Sequence, residues 1–365
     1  MEKLTAFVRH PFTTAAVVAT LLSAHGLRKK SLSASGAAAA FLVGFLSFAA
    51  GLRFGVLLIL FYFTGSQLTK MGATRKAAME EAYAVGGQRS WVQVFACSIL
   101  ATACAVVYMW FDGADTYVDF GETVGWMVGR SAGAVTVTIS LFGQWPITIT
   151  KQRLGSYLWA MYVAHYACAA ADTWASEVGV LARAPPVLIT SLLTLQPRRV
   201  PPGTNGGVSI PGTIASAAGG LAIGLVFFGL SFALGITPVR DPARYPDQLP
   251  MVLFGMFSGL LGSFVDSLLG ATVQATYYSV ERKCIVKRHR GDRVDPTVVH
   301  ICGYDWLSNE AVNLVSTLAT MAIAAALAPA FCCLFDPMQC GGSAGAVAAA
   351  KLLNVVPKPS PISKI

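Results

Sequence analysis

Eight apolar runs limit what this chain can become: residues 10–27, 34–51, 53–69, 91–111, 154–172, 210–236, 250–277 and 310–335. A helix needs about 20 largely apolar residues to cross the hydrocarbon core of a bilayer, and each run approaches that length. Charged residues are 12% of the chain, against roughly 25% in an ordinary soluble domain. So few charges cannot coat a globule of this size, and much of the surface must face lipid. The expected fold is all-α, a polytopic transmembrane helical bundle with about eight to nine spans. It fills residues 1–340, and a small-residue, Pro-rich tail over 341–365 reads as a weak surface helix followed by disorder. No strand pattern of any length competes.

A ninth candidate, 126–149, contains Arg130, several glycines and a Thr/Val alternation broken by Pro146, and reads as spanning or re-entrant. Charge placement argues for an even count. With that segment left out, Arg28-Lys29-Lys30, the loop of Lys70, Arg75, Lys76 and Arg89, the loop of Arg183, Arg198 and Arg199, and the run Arg282 to Arg293 share one side. Asp112, Asp115, Asp119 and Glu122 fall on the other, with the neutral mixture Arg240, Asp241, Arg244 and Asp247, a segregation of basic loops that follows the positive-inside rule. Eight spans with both termini non-cytoplasmic follow. Residues 187–195 are apolar but too short to span and read as a loop at the membrane surface. Met1 to Arg9 precede an apolar run without a clear cleavage site, which reads as a retained first helix.

Several function classes drop out. The net charge of +9 gathers in short loops with no aromatic-basic platform, so nucleic acid is not an expected partner; the lipid bilayer is. The five histidines lack ligand spacing, which argues against zinc, and no Ser-His-Asp triad can be assembled. The eight cysteines form no Cys-x-x-Cys pair and read as small core hydrophobes.

Four polar clusters remain, and ionisable groups in or beside membrane helices are functional candidates by default. In Ala171 to Gly179, a helix would put Asp172 and Ser176 on one face with Glu177 close by, a carboxylate set suited to Mg²⁺ or a solvated first turn. Gly203 to Ser209 brings Thr204, Asn205, Gly206 and Gly207 ahead of a helix, either an anion-binding row of backbone N–H groups or a plain turn. Gly259, Gly262, Asp266, Gly270 and Gln274 form one helical stripe; close helix packing explains the glycines but not the carboxylate. Asp305, Asn309 and Asn313 fall on one face at i, i+4 and i+8, a polar row that must meet protein or water. The basic run Arg282 to Arg290 and Lys70 lie on the same expected side, against lipid headgroups or substrate phosphates.

In this order the clusters, with Gly65-Ser66-Gln67-Leu68-Thr69-Lys70 and Gly72 before them, resemble the transmembrane protein 19 family of integral membrane proteins. The similarity covers roughly residues 35–335. That family includes the plastid phytyl-phosphate kinase, and more broadly the chain resembles membrane kinases and cytidylyltransferases acting on polyprenol and phosphatidic substrates. The resemblance implies Mg²⁺ and a nucleoside triphosphate, CTP foremost, with a prenyl phosphate or other lipid as substrate. No transit peptide is recognisable, so the endoplasmic reticulum or another endomembrane is expected over the plastid.

Two functions follow. One is a kinase of an isoprenoid monophosphate. Asp172, Glu177, Asp266 and Asp305 would bind Mg²⁺, Thr204 to Gly207 would hold phosphates, and Asn309 and Asn313 would orient nucleotide or metal. Lys70 would screen charge, and the seam around Gly262 and Gly270 would admit the tail. The other is a transporter or lipid-translocating protein coupling the same carboxylates to an ion or proton. Oligomeric state is not legible.

Overall fold

A computed structural model describes residues 11–71, 79, 88–111, 136–141, 145–235, 248–286 and 295–335. Ten helices are used below: α1 (Pro11–Arg28), α2 (Ala34–Ala50), α3 (Leu52–Met71), α4 (Trp91–Ala96), α5 (Ile99–Phe111), α6 (Lys151–Gly179), α7 (Ile189–Leu193), α8 (Ile210–Ala233), α9 (Pro250–Val273) and α10 (Asn309–Phe335). Helices stand at all eight expected runs, the fourth broken at Cys97–Ser98 into α4 and α5. By length and composition four are able to cross a membrane: α3, α8, α9 and Asn309–Phe331 of α10. The multi-pass reading stands at that coarser level. The shortfall has physical causes, since α2 and α5 are short, with 17 and 13 residues.

The helix α6 fails the test for another reason. It is enclosed by α3, α5, α8, α9 and α10, so it carries Trp159, Tyr162, His165 and Tyr166 fully buried and need not be lipid-compatible. Around its first half an aromatic core forms. The Phe54 and Trp159 rings stack at 3.8 Å, and the Tyr162 hydroxyl donates to the Phe54 carbonyl at 2.6 Å. The buried Arg53 sits 4.3 Å from the Trp159 ring and 5.1 Å from that of Phe227, and donates to Ser231 Oγ at 3.0 Å. Aromatic faces thus do for this cation what water would do outside.

The chain is not purely helical. The pair β1 (Thr136–Leu141) and β2 (Trp145–Thr150) forms an antiparallel hairpin within the ninth candidate, which therefore is not a helical span where it is described; residues 126–135 and 142–144 lie outside the described residues. The Thr/Val alternation was a strand period, and Pro146 sits where a two-stranded ribbon has free edges. Segment 187–195 is not a plain loop either: β3 (Val187–Leu188) pairs with β4 (Gly207–Val208), and α7 follows. The strands β5 (Thr276–Ser279), β6 (Cys284–Val286) and β7 (Val298–Cys302) form a sheet in the order β6-β5-β7 between α9 and α10. The tail from Gly341 to Ile365 lies outside the described residues, as does Lys287 to Arg290 of the basic run.

Glycine sets the spacing of α6, α8 and α9. A Cβ on Gly220 would lie 2.4 Å from the Gly255 carbonyl oxygen, and one on Gly259 would lie 2.8 Å from the Gly220 Cα. A Cβ on Gly262 would meet the Cys168 side chain at 2.4 Å, and one on Gly219 would meet the Ala170 backbone at 3.1 Å. At Gly262 the seam is closed by packing against Cys168, which leaves a lipid tail no entrance at that position.

Overpacking typically costs about 1–3 kcal/mol, and backbone cannot move aside as a side chain can. Gly220→Val should therefore lower the melting temperature in detergent by several degrees. Gly229→Ala in the same helix meets nothing within 4 Å and should leave it level or raise it, since helical alanine gains about 1 kcal/mol over glycine. Equal responses would mean that the seam does not hold these helices.

Candidate functional site

At one end of the bundle, segments far apart in sequence meet. Ser33 N–H donates to the Arg89 carbonyl, Trp174 Nε1 to Thr64 Oγ1 at 3.2 Å, and Tyr304 N–H to the Thr272 carbonyl. This gathers the ends of α3, α6 and α9 with the starts of α2, α4 and α10. Between α6, the 203–209 loop, α9 and the first turns of α10 lies a cavity of about 500 Å³.

Its acidic wall comes from two helices. Because α6 continues unbroken to Gly179, Asp172 and Ser176 are one turn apart and both line the cavity. Across from them, α9 supplies Ser263, Asp266, Ser267 and Gly270, and Gln274 follows just past its end. Ser316 Oγ donates to Asp266 Oδ2 at 2.8 Å, and the Asp172 side chain lies within hydrogen-bonding reach of Asp266. Neighbouring carboxylates repel when both are ionised, and a proton or a cation between them relieves that repulsion. Asn309 and Asn313 line the cavity from α10, and Asn313 Nδ2 points at Cys97 Sγ, 3.9 Å away.

The 203–209 loop closes the remaining side. Gly203 and Gly206 have φ of 87° and 72°, values that suit glycine, and a Cβ on Gly206 would lie 2.4 Å from the Ser267 carbonyl oxygen. The loop therefore lies directly on α9. Its backbone donors are mostly engaged: Thr204 N–H to the Pro201 carbonyl, Asn205 N–H to Thr276 Oγ1 at 3.1 Å, and Gly207 N–H to the Thr204 carbonyl. Thr204, Asn205, Gly206 and Gly207 all line the cavity, but they do so as a braced turn and not as a row of open N–H groups.

Three expected site residues lie elsewhere. Glu177, five residues beyond Asp172, is rotated to the opposite side of α6, where it is buried and accepts from Thr69 Oγ1 at 3.0 Å. The Gly65-to-Lys70 motif thus joins α3 to α6, with Gly65 against Thr173. Asp305 is exposed in the turn before α10, and the helix begins only at Asn309, so the expected i, i+4, i+8 row starts one position too early. The backbone of Trp306 and Leu307 holds that turn on the Val273 carbonyl. Lys70 is exposed at the end of α3 and does not reach the cavity wall. Ser316 is the residue that sequence reasoning missed; its signal was a hydroxyl three residues past Asn313, on the same helical face.

The donor set fits Mg²⁺. That ion is held through one or two carboxylates and keeps waters and substrate phosphate oxygens in its remaining positions. Here two carboxylates stand beside hydroxyls and amides in a roomy cavity whose described lining contains no basic residue. Among the described residues no three His, Cys, Asp or Glu side chains cluster to hold a metal by themselves.

Comparison with known proteins agrees with a membrane family. A family model described as integral membrane protein DUF92 matches residues 17–321, which contain every cavity-lining segment. Protein PGR of Arabidopsis thaliana is 36% identical over 309 residues, covering 84% of this chain and 92% of its own length. An uncharacterized membrane protein of Synechocystis is 26% identical over 297 residues, 81% of this chain and 82% of that protein. Another from Methanocaldococcus jannaschii is 30% identical over 175 residues, 47% of this chain and 53% of that protein. No solved structure matches the chain.

A ligand at a hundredfold excess over its Kd stabilises the state it binds by about 2.7 kcal/mol. Mg²⁺ added to the detergent-solubilised protein should accordingly raise its melting temperature by a few degrees, and Asp172→Asn and Asp266→Asn should each remove most of that rise. An undiminished rise in both variants would put the cation somewhere else.

Proposed function

The chain belongs to the DUF92 family of integral membrane proteins, the transmembrane protein 19 type, and we propose that it transfers a phosphoryl group from a nucleoside triphosphate to an isoprenoid monophosphate. The observation that carries this reading is the pairing of Asp172 and Asp266 across a polar cavity of about 500 Å³ at the end of a membrane bundle.

Phosphoryl transfer asks little covalent chemistry of a protein and a great deal of positioning and charge control. An oxygen of the lipid monophosphate attacks the γ-phosphorus of the nucleotide. The bond from that phosphorus to the β–γ bridging oxygen breaks, and lipid diphosphate and nucleoside diphosphate leave. No side-chain nucleophile is needed. Two carboxylates alone would repel both substrates, so the cavity requires a cation before it can accept them. Asp172 and Asp266 would hold Mg²⁺, which supplies neutralising charge on the phosphate oxygens. Ser316 fixes one oxygen of Asp266, a residue of the cavity lining. Asn309 and Asn313 add amide donors from α10. The brace of the 203–209 loop against α9 keeps that wall at a fixed distance from Asp266. CTP is the first nucleotide to test.

Convergence of the first three clusters and the Asn309/Asn313 pair on one cavity supports an enzyme over a transporter, whose paired half-sites would sit on matching broken helices.

Purified protein incubated with geranylgeranyl or phytyl monophosphate, Mg²⁺ and each nucleoside triphosphate in turn should yield the lipid diphosphate. Removing a single electrostatic stabiliser from such a site costs about a hundredfold or more in rate, and Asp266→Asn should fall by that order with its fold unchanged. Well-folded protein that makes no diphosphate with any nucleotide removes the kinase reading.

A further inference from the structure

Closure of the glycine seam leaves open where a hydrocarbon chain would lie. A second cavity, of about 160 Å³, lies among α1, α2, α3 and α4. Its walls are apolar, with Ala19, Val43, Phe48 and Phe61 among them, and one cation, Arg89, borders it. The backbone of Arg89 is pinned on both sides, its N–H donating to the Ser31 carbonyl at 3.0 Å and its carbonyl accepting from Ser33 N–H at 3.1 Å. Its guanidinium is far less engaged. It donates to Ser66 Oγ at 3.4 Å, a long bond, and no carboxylate pairs with it among the described residues. A half-buried guanidinium with donors to spare is suited to phosphate oxygens, which it meets two at a time.

The position of this cavity matters as much as its lining. Cys97 borders it, and Cys97 Sγ is the atom that Asn313 of the acidic cavity approaches at 3.9 Å. One side-chain contact therefore partitions an apolar cavity with a cation from a polar cavity with two carboxylates. Cys97 lies within electrostatic reach of Arg89, Asp172 and Asp266 together.

We infer that the apolar cavity receives the first segment of an anionic single-chain lipid, with Arg89 on its phosphate. Naming it the acceptor subsite of the reaction rests on the phosphotransferase reading above; the binding itself does not. A cavity of about 150 Å³ holds a group the size of benzene. This one takes a chain's first isoprene-sized unit and leaves the rest to the bilayer. A phosphate on Arg89 would then face the Cys97–Asn313 partition, with the acidic cavity beyond it.

The test is binding of geranyl monophosphate to the full chain in detergent micelles by titration calorimetry, without nucleotide or Mg²⁺. A charge-assisted hydrogen bond is worth enough that losing it should weaken binding about tenfold or more. Arg89→Ala should show that loss, Arg89→Lys should fall between, and geraniol should bind the parent and Arg89→Ala alike. Ile59→Trp, which fills the cavity from α3, should abolish binding while Arg89 remains. Unchanged affinity in folded Arg89→Ala, or in Ile59→Trp should the first variant not fold, overturns the inference. Inorganic phosphate competing as strongly as geranyl monophosphate also overturns it, because Arg89 would then serve free phosphate. Since nothing turns over in this measurement, failure here leaves the kinase assay standing, and failure of that assay leaves this binding standing.

Discussion

The backbones of α6, α8 and α9 approach so closely that a methyl group would not fit between them, and the site depends on that approach. In a membrane, no difference in oiliness drives helices together, because lipid tails are as apolar as leucine; association comes from close packing and from polar contacts. Gly219 and Gly220 on α8, with Gly255, Gly259 and Gly262 on α9, supply the packing. Gly259 also meets the Ala171 side chain, the residue next to Asp172, and Gly262 lies one turn before Asp266. The same contacts that hold the helices therefore fix the separation of the two carboxylates. A wider seam would let each acid hydrate alone.

Several charged and polar side chains elsewhere in the bundle find a partner inside the protein. At one end Arg53 is buried against Trp159, Phe227 and Ser231. Near the other, Glu177 takes the Thr69 hydroxyl, and the His165 ring bonds the Cys97 carbonyl at 2.9 Å, at the break between α4 and α5. In each of these the partner is a group of the chain itself. Asp266 likewise takes the Ser316 hydroxyl, but it also has a second carboxylate, Asp172, beside it, and like charges repel unless a proton or a cation offsets them.

The sequence was read well where a residue's role depends on its own helix and poorly where it depends on a neighbour. Helix positions were legible because lipid imposes a length and a polarity on each run. Asp266 stood out because glycine packing could not account for a carboxylate in the same stripe. The place of Glu177 is not legible because five residues along a helix reverse the face, and nothing local reveals that Thr69 waits on that side. The place of Asp305 is hidden for want of a boundary, as the turn that ends on Val273 delays α10 to Asn309. The hairpin of β1 and β2 was hidden by the expectation that an apolar run in a membrane chain is a helix, although Thr, Val and Ile in alternation favour a strand. Arg89 looked like one more loop cation, because only the fold brings it beside Cys97.

The two cavities differ in what each lacks. The polar one has acids and, in its described lining, no base; the apolar one has a base and, in its lining, no acid. Were Arg89 on the acidic side, it would pair with Asp172 or Asp266 and remove the need for a cation there. With Cys97 and Asn313 in contact between them, the two signs do not pair with each other; on the function proposed above, one side would take a metal with nucleotide phosphates and the other an anion that carries its own hydrocarbon. The partition itself is a thiol and an amide, groups without net charge, so on that proposal a reacting oxygen and phosphorus meeting there would respond chiefly to the charges on either side, with the amide of Asn313 as a neutral donor.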